Sequence, residues 1–119
     1  MNGTFLLDSK IVIAIFAGES SVLEHLAQSK EVFVPTVVLG ELYYGARKST
    51  RVAANINRID ELAETSALLG CDIETSRHYG RIKNDLRAKG RPTPENDIWI
   101  ASVAQQHGLT LVSRDKHLW

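Results

Sequence analysis

Four acidic residues, Asp8, Glu41, Asp97 and Asp115, stand where a folded chain can make carboxylates converge. Asp8 follows the apolar run Phe5-Leu6-Leu7, and Asp115 follows the run Leu109 to Val112 across Ser113-Arg114. Glu41 lies among Val37, Val38 and Leu42 at helical spacings that set it beside apolar side chains. An ionised carboxylate in that setting needs a cationic side chain or a metal ion. Asp97 precedes Ile98-Trp99-Ile100-Ala101, so it opens a largely buried helix and faces a cleft more readily than open water. Each acid alone has an ordinary explanation: Asp8 and Asp115 as cap or turn residues, Asp97 as a first-turn acid suited to the helix dipole. Together they suggest one shared site. Clustered carboxylates repel, and with no His or Cys pair at ligand spacing an oxygen-only set favours a hard ion, Mg²⁺ or Mn²⁺. One or two such ions can acidify and orient a water, place it in line with a phosphodiester and neutralise the leaving oxygen.

The elements that must position these acids follow from apolar periodicity. Phe5 to Leu7 reads as a buried strand, followed by a helix from Ser9 to Phe16 with Asp8 or Ser9 as its cap. Ser20 to Ser29 reads as a second helix with Val22, Leu23 and Leu26 on one face, and Val32 to Val34 as a strand ended by Pro35. Thr36 is the expected cap of a helix through Tyr43 that ends near Gly45 to Thr50; a longer helix covers Arg51 to Ala67. Leu68 to Cys71 is a third strand, and Glu74 to Lys89 a helix with Tyr79, Ile82 and Leu86 inward. Thr93-Pro94 opens a helix that runs to His107 and stops at Gly108. Leu109 to Val112 is the last strand. Alternating strands and helices imply an α/β sandwich, a parallel sheet with helices on both faces. Ligands in such sheets bind beyond the carboxyl ends of the strands, which is where Asp8 and Asp115 fall.

Bulk properties bound the alternatives. A chain of 119 residues suits one domain with one core, and 44% hydrophobic with 24% charged residues is ordinary for a globular protein. Cys71, the single cysteine, cannot form an internal disulfide and is expected as a small buried hydrophobe. No leader or membrane-length apolar run occurs, so the expected location is the cytoplasm. The four histidines, His25, His78, His107 and His117, are expected at the surface or at helix ends.

Fourteen basic and fourteen acidic residues cancel, so any affinity for nucleic acid must come from how the charge is distributed. Arg77, Arg81, Lys83, Arg87, Lys89 and Arg91 share one window with Asp85 as its only acid; Arg47, Lys48, Arg51 and Arg58 form a second group. Each can be a solvated helix face. Beside a phosphodiester-cleaving site they become candidates for holding a nucleic-acid phosphate backbone, Arg81 and Arg87 foremost.

Four blocks in order, Phe5-Leu6-Leu7-Asp8-Ser9, Val37-Val38-Leu39-Gly40-Glu41-Leu42-Tyr43-Tyr44-Gly45, Pro94-Glu95-Asn96-Asp97-Ile98-Trp99-Ile100-Ala101 and His107-Gly108-Leu109-Thr110-Leu111-Val112-Ser113-Arg114-Asp115, resemble PIN-domain proteins, especially VapC-type toxins of bacterial toxin–antitoxin pairs. The resemblance spans nearly the whole chain. It implies a PIN-like three-layer α/β/α sandwich over residues 1–119, Mg²⁺- or Mn²⁺-dependent endoribonuclease activity, a homodimer, and inhibition by a VapB-like antitoxin. Asp8, Glu41, Asp97 and Asp115 match the family's acidic, metal-ligating positions, with Ser9 and Ser113 as the small polar residues beside them.

Two departures accompany the resemblance. Lys10 stands where the family usually carries Asn, so its ammonium either competes with metal for Asp8 or points outward to phosphate. The sequence ends at Trp119, where relatives continue through a further short strand, so a C-terminal truncation is an expectation. Lys10 also supports a rival reading, a catalytically impaired PIN-like module that binds RNA or antitoxin. A phosphoacceptor regulatory domain also places acids at strand ends, but it needs an acceptor aspartate on the middle strand as well as a lysine such as Lys116, and no clear acceptor is present.

Overall fold

A computed structural model describes residues 3–113. The first apolar run forms β1 (Thr4–Leu7), whose consecutive residues Phe5, Leu6 and Leu7 are all buried. Neighbouring strand side chains point to opposite faces, so both faces of β1 are covered, as expected of a strand inside a parallel sheet with helices on either side. The chain continues through α1 (Ser9–Phe16), α2 (Ser20–Ala27), β2 (Glu31–Pro35), α3 (Thr36–Arg47), α4 (Val52–Thr65), β3 (Ala67–Leu69), α5 (Ile73–Ala88), α6 (Glu95–His107) and β4 (Thr110–Val112).

The strands form one sheet in the order β3-β2-β1-β4, and every pair is parallel. Phe5 pairs with Val32 on one side and with Thr110 on the other. The chain steps from β1 outward to β2 and β3, then returns across the sheet to place β4 beside β1. With right-handed crossovers this reversal sets α1 to α4 against one face and α5 and α6 against the other. The point of reversal lies between β1 and β4, and the crevice beyond their carboxyl ends is where such a fold binds ligands.

Apolar side chains of the helices close on the sheet: Ile11 and Val12 from α1, Val38, Leu39 and Leu42 from α3, Ile59 from α4, and Ile100 and Val103 from α6. α5 packs chiefly on α6, where Tyr79 stacks on Trp99 with ring centroids 4.1 Å apart. Gly108 ends α6 in the left-handed conformation at φ 64°, which glycine adopts without strain.

Several expectations are corrected. Thr36 and Thr93 do not cap: α3 and α6 each begin directly after a proline, Pro35 and Pro94, with no side-chain cap. Leu23 is exposed on α2. The third strand ends at Leu69, so Cys71 falls in the exposed turn before α5 and is not a core residue. That turn holds a cap not expected from the sequence, in which Asp72 Oδ1 accepts from the Thr75 N–H at 3.1 Å while the Asp72 N–H donates to Thr75 Oγ1 at 2.9 Å. No helix among the described residues is long and apolar enough to cross a membrane.

Candidate active site

Asp8 stands at the carboxyl end of β1, where its backbone N–H still donates to the Val112 carbonyl of β4 at 3.2 Å. Its side chain is buried, and each oxygen accepts one hydrogen bond: Oδ1 from the Ile11 N–H at 2.9 Å, capping α1, and Oδ2 from the Ser113 hydroxyl. The cap of α1 and the first candidate acid are therefore the same carboxylate. Ser113, just past β4, thus stands beside Asp8, and Ser9 lines a cavity with Glu41.

Glu41 projects from the middle of α3 between buried Val38 and Leu42. Its Oε1 is buried and has no hydrogen-bond partner among the described residues. Of the two resolutions open from sequence, a basic hydrogen-bond partner for this oxygen is not found among the described residues. Arg58 of α4 lines the same cavity of about 380 Å³, with Ser9, Phe16 and Asn55, yet its guanidinium donates to the Phe16 carbonyl and lies 4.5 Å from the centre of the Phe16 ring. Glu41 also faces a second, open cleft of about 650 Å³ lined by Tyr44, Lys48 and Asn96.

Asp97 is half-buried in the first turn of α6, immediately after Asn96 in that second cleft. Ser9, next to Asp8, and Asn96, next to Asp97, therefore line two cavities that share Glu41. Among the described residues no three carboxylate, imidazole or thiol side chains close into a set able to hold a metal ion. Asp115 lies outside the described residues, as do Lys116 and His117.

The basic candidates part company. Arg81 is exposed on α5, its guanidinium 3.4 Å from the His78 ring, and lies on the solvated face. Arg87 joins Lys83 and Arg91 around a cavity of about 420 Å³ that also includes Ile98, the residue after Asp97. The first turn of α6 thus lies between this basic cavity and the Glu41 cleft. Lys83 bonds to Glu95 at 2.6 Å, a contact that raises the lysine pKa and lowers that of the glutamate. Lys10 is exposed and makes no ion pair with Asp8 among the described residues.

Tyr44, Asn55 and Asn96 were absent from the sequence-level site, and Arg58 and Lys48 entered it only as members of a basic group. The three-residue spacing from Glu41 to Tyr44 was the available signal, since it sets both on one helix face.

Comparison with known proteins places this arrangement. The PIN domain family model matches residues 5–118. Ribonuclease VapC2 of Haemophilus influenzae is 34% identical over 113 residues, covering 93% of this chain and 86% of that protein. The tRNA(fMet)-specific endonuclease VapC of Shigella flexneri is 33% identical over 114 residues, with the same coverage of 93% and 86%. Among solved structures, VapBC2 from Rickettsia felis bound to a DNA fragment from their promoter superposes with a TM-score of 0.83 at 28% identity, covering 94% of this chain and 87% of that one. A parallel sheet reversing between β1 and β4, Asp8 at that reversal and these matches along nearly the full sequence have one common reading: the chain belongs to the PIN-domain family, among its VapC ribonucleases.

Proposed function

We propose that this chain is the toxin of a toxin–antitoxin pair, a divalent-metal-dependent endoribonuclease that hydrolyses RNA phosphodiester bonds at a site formed by Asp8, Glu41, Asp97 and Asp115. The observation that carries the reading is the Glu41 carboxylate, with an oxygen buried and without a hydrogen-bond partner among the described residues, facing two clefts beside the sheet reversal. A buried anionic oxygen is costly unless a cation meets it. The oxygen-only donors fit Mg²⁺ or Mn²⁺, and such an ion, when bound, supplies positive charge for the phosphodiester and acidifies a water.

The chain's own residues supply position. Ile11 N–H and Ser113 fix the Asp8 carboxylate from two sides, so it meets a ligand already oriented. Arg87 and Arg91, next to the first turn of α6, would hold RNA phosphates and lead the strand toward Glu41. Partners follow from the family: RNA as substrate, a VapB-like antitoxin as inhibitor and a second copy of the chain as a homodimer, acting in the cytoplasm.

The test is incubation of the purified protein with total RNA in Mg²⁺ or Mn²⁺ and in EDTA. Cleavage that needs the metal, and is lost in Asp97→Asn, is expected. Equal cleavage in EDTA would overturn the metal mechanism, and no cleavage with any metal would favour an impaired RNA- or antitoxin-binding module.

A further inference from the structure

The open cleft beside Glu41 contains an aromatic ring that the fold does not use. Tyr43 and Tyr44 are neighbours on α3 with opposite roles. Tyr43 packs against the core and donates its hydroxyl to Asp60 of α4 at 2.5 Å. Tyr44 is 65% exposed, and among the described residues its ring carries the Lys48 ammonium, 4.5 Å from its centre. A single exposed tyrosine needs no explanation by itself. This one shares a cleft of about 650 Å³ with Glu41, Lys48 and Asn96, a set that combines an aromatic face, a cation and an amide next to the reacting site.

We propose that Tyr44, Lys48 and Asn96 form a subsite for one unpaired nucleotide of the RNA substrate. A base stacks on the exposed face of Tyr44, Lys48 meets the adjoining phosphate, and the Asn96 amide can bond to a base edge. Stacking on a tyrosine is tolerant of base identity because every base has a π-face, while a paired base cannot be splayed onto it. The subsite therefore selects single-stranded RNA and sets the register in which a phosphodiester reaches Glu41. It rests on the ribonuclease reading, but it is a statement about binding and can be tested without cleavage.

Binding is measured by fluorescence anisotropy in EDTA with two labelled probes of equal length, an oligouridylate and the corresponding ribose-phosphate oligomer lacking bases. Wild type is expected to prefer the probe with bases. Tyr44→Ala should bind that probe roughly five- to hundredfold more weakly and lose the preference, while Tyr44→Phe retains it. Lys48→Met should weaken both probes alike. A second readout uses the unaltered protein: 2-aminopurine placed in the RNA should be quenched on binding. Undiminished preference in Tyr44→Ala, equal loss in Tyr44→Phe, or no quenching in wild type would overturn the subsite. Metal-dependent cleavage together with base-independent binding would remove the subsite and leave the ribonuclease reading intact. Base-dependent binding without cleavage under any metal would do the reverse.

Discussion

Ser113 donates its hydroxyl hydrogen to Asp8 Oδ2 and so joins the carboxyl ends of β4 and β1, the two strands between which the sheet order reverses. The bond links residues 105 positions apart. It gives an acid expected to bind metal a fixed orientation before metal arrives. Removing such a supporting partner commonly weakens metal binding about 10–100-fold. Ser113→Ala should therefore shift the Mn²⁺ titration of the melting temperature by that order, and Ser113→Thr, which keeps the hydroxyl, should shift it less. An unchanged titration in Ser113→Ala would show that the bond serves only the sheet.

Glu41→Gln separates a structural acid from a ligand. The wild-type side chain holds a buried oxygen without a hydrogen-bond partner among the described residues, so removing its charge should leave the metal-free protein as stable or more stable. An ion that binds only the folded state adds about 2.7 kcal/mol at about 100 times its Kd. Wild type should gain melting temperature with Mn²⁺, and Glu41→Gln should gain little and cleave no RNA. Early melting of the metal-free variant would instead assign Glu41 a structural role in the metal-free fold.

The strand and helix alternation and the sheet edge holding Asp8 were legible because apolar runs and their interruptions are local signals. What sequence could not show depends on where long side chains turn. Arg58 was an available partner for Glu41 by charge alone, and only the fold shows it engaged with Phe16. Cys71, a lone cysteine, was expected as a small buried hydrophobe on a strand from Leu68 to Cys71, yet the edge strand stops at Leu69 and leaves it outside. The Asp72–Thr75 cap is readable in principle, since Asp and Thr three residues apart before a helix are capping residues, but apolar periodicity alone starts the helix at Glu74 and passes over it. Arg81 and Arg87 are equivalent as letters and differ only in what surrounds them.

That difference gives a paired test of phosphate binding. Arg87→Glu with Arg91→Glu should flatten the salt dependence of single-stranded RNA binding by about 0.7 in log–log slope for each phosphate no longer neutralised. Arg81→Glu should change the slope less. Equal effects would mean that the basic face acts diffusely, with no role for the cavity at the start of α6.

Asp72 offers a pH prediction. Its bond from the Thr75 N–H is the largest cause of a carboxyl pKa held below the ordinary value, with the Gln106 amide of α6, at 2.9 Å, adding to it. A folded-state pKa below the unfolded one contributes stability that is full above the unfolded value and is lost as pH falls through the folded one. Asp72→Ala should melt earlier than wild type at pH 7, and the gap should narrow as the solution is acidified through the lower carboxylate range. Asp72→Asn can still cap, so it should lose less at pH 7. A gap independent of pH would assign the effect to packing.

Lys10→Asn asks what the family departure does. Both Asp8 oxygens already accept hydrogen bonds, from Ile11 N–H and from Ser113, and exposed Lys10 forms no ion pair with Asp8 among the described residues. An exposed ammonium with no Asp8 partner among the described residues is expected to meet phosphate and to leave the metal ligands to the ion. Replacing Lys10 with Asn should leave the Mn²⁺-induced gain in melting temperature unchanged. RNA binding should give up the neutralisation of at most one phosphate, a change of about 0.7 in salt slope. A larger Mn²⁺ gain in Lys10→Asn than in wild type would show instead that the ammonium competes for Asp8, and that the chain is held in a metal-poor state by its own side chain.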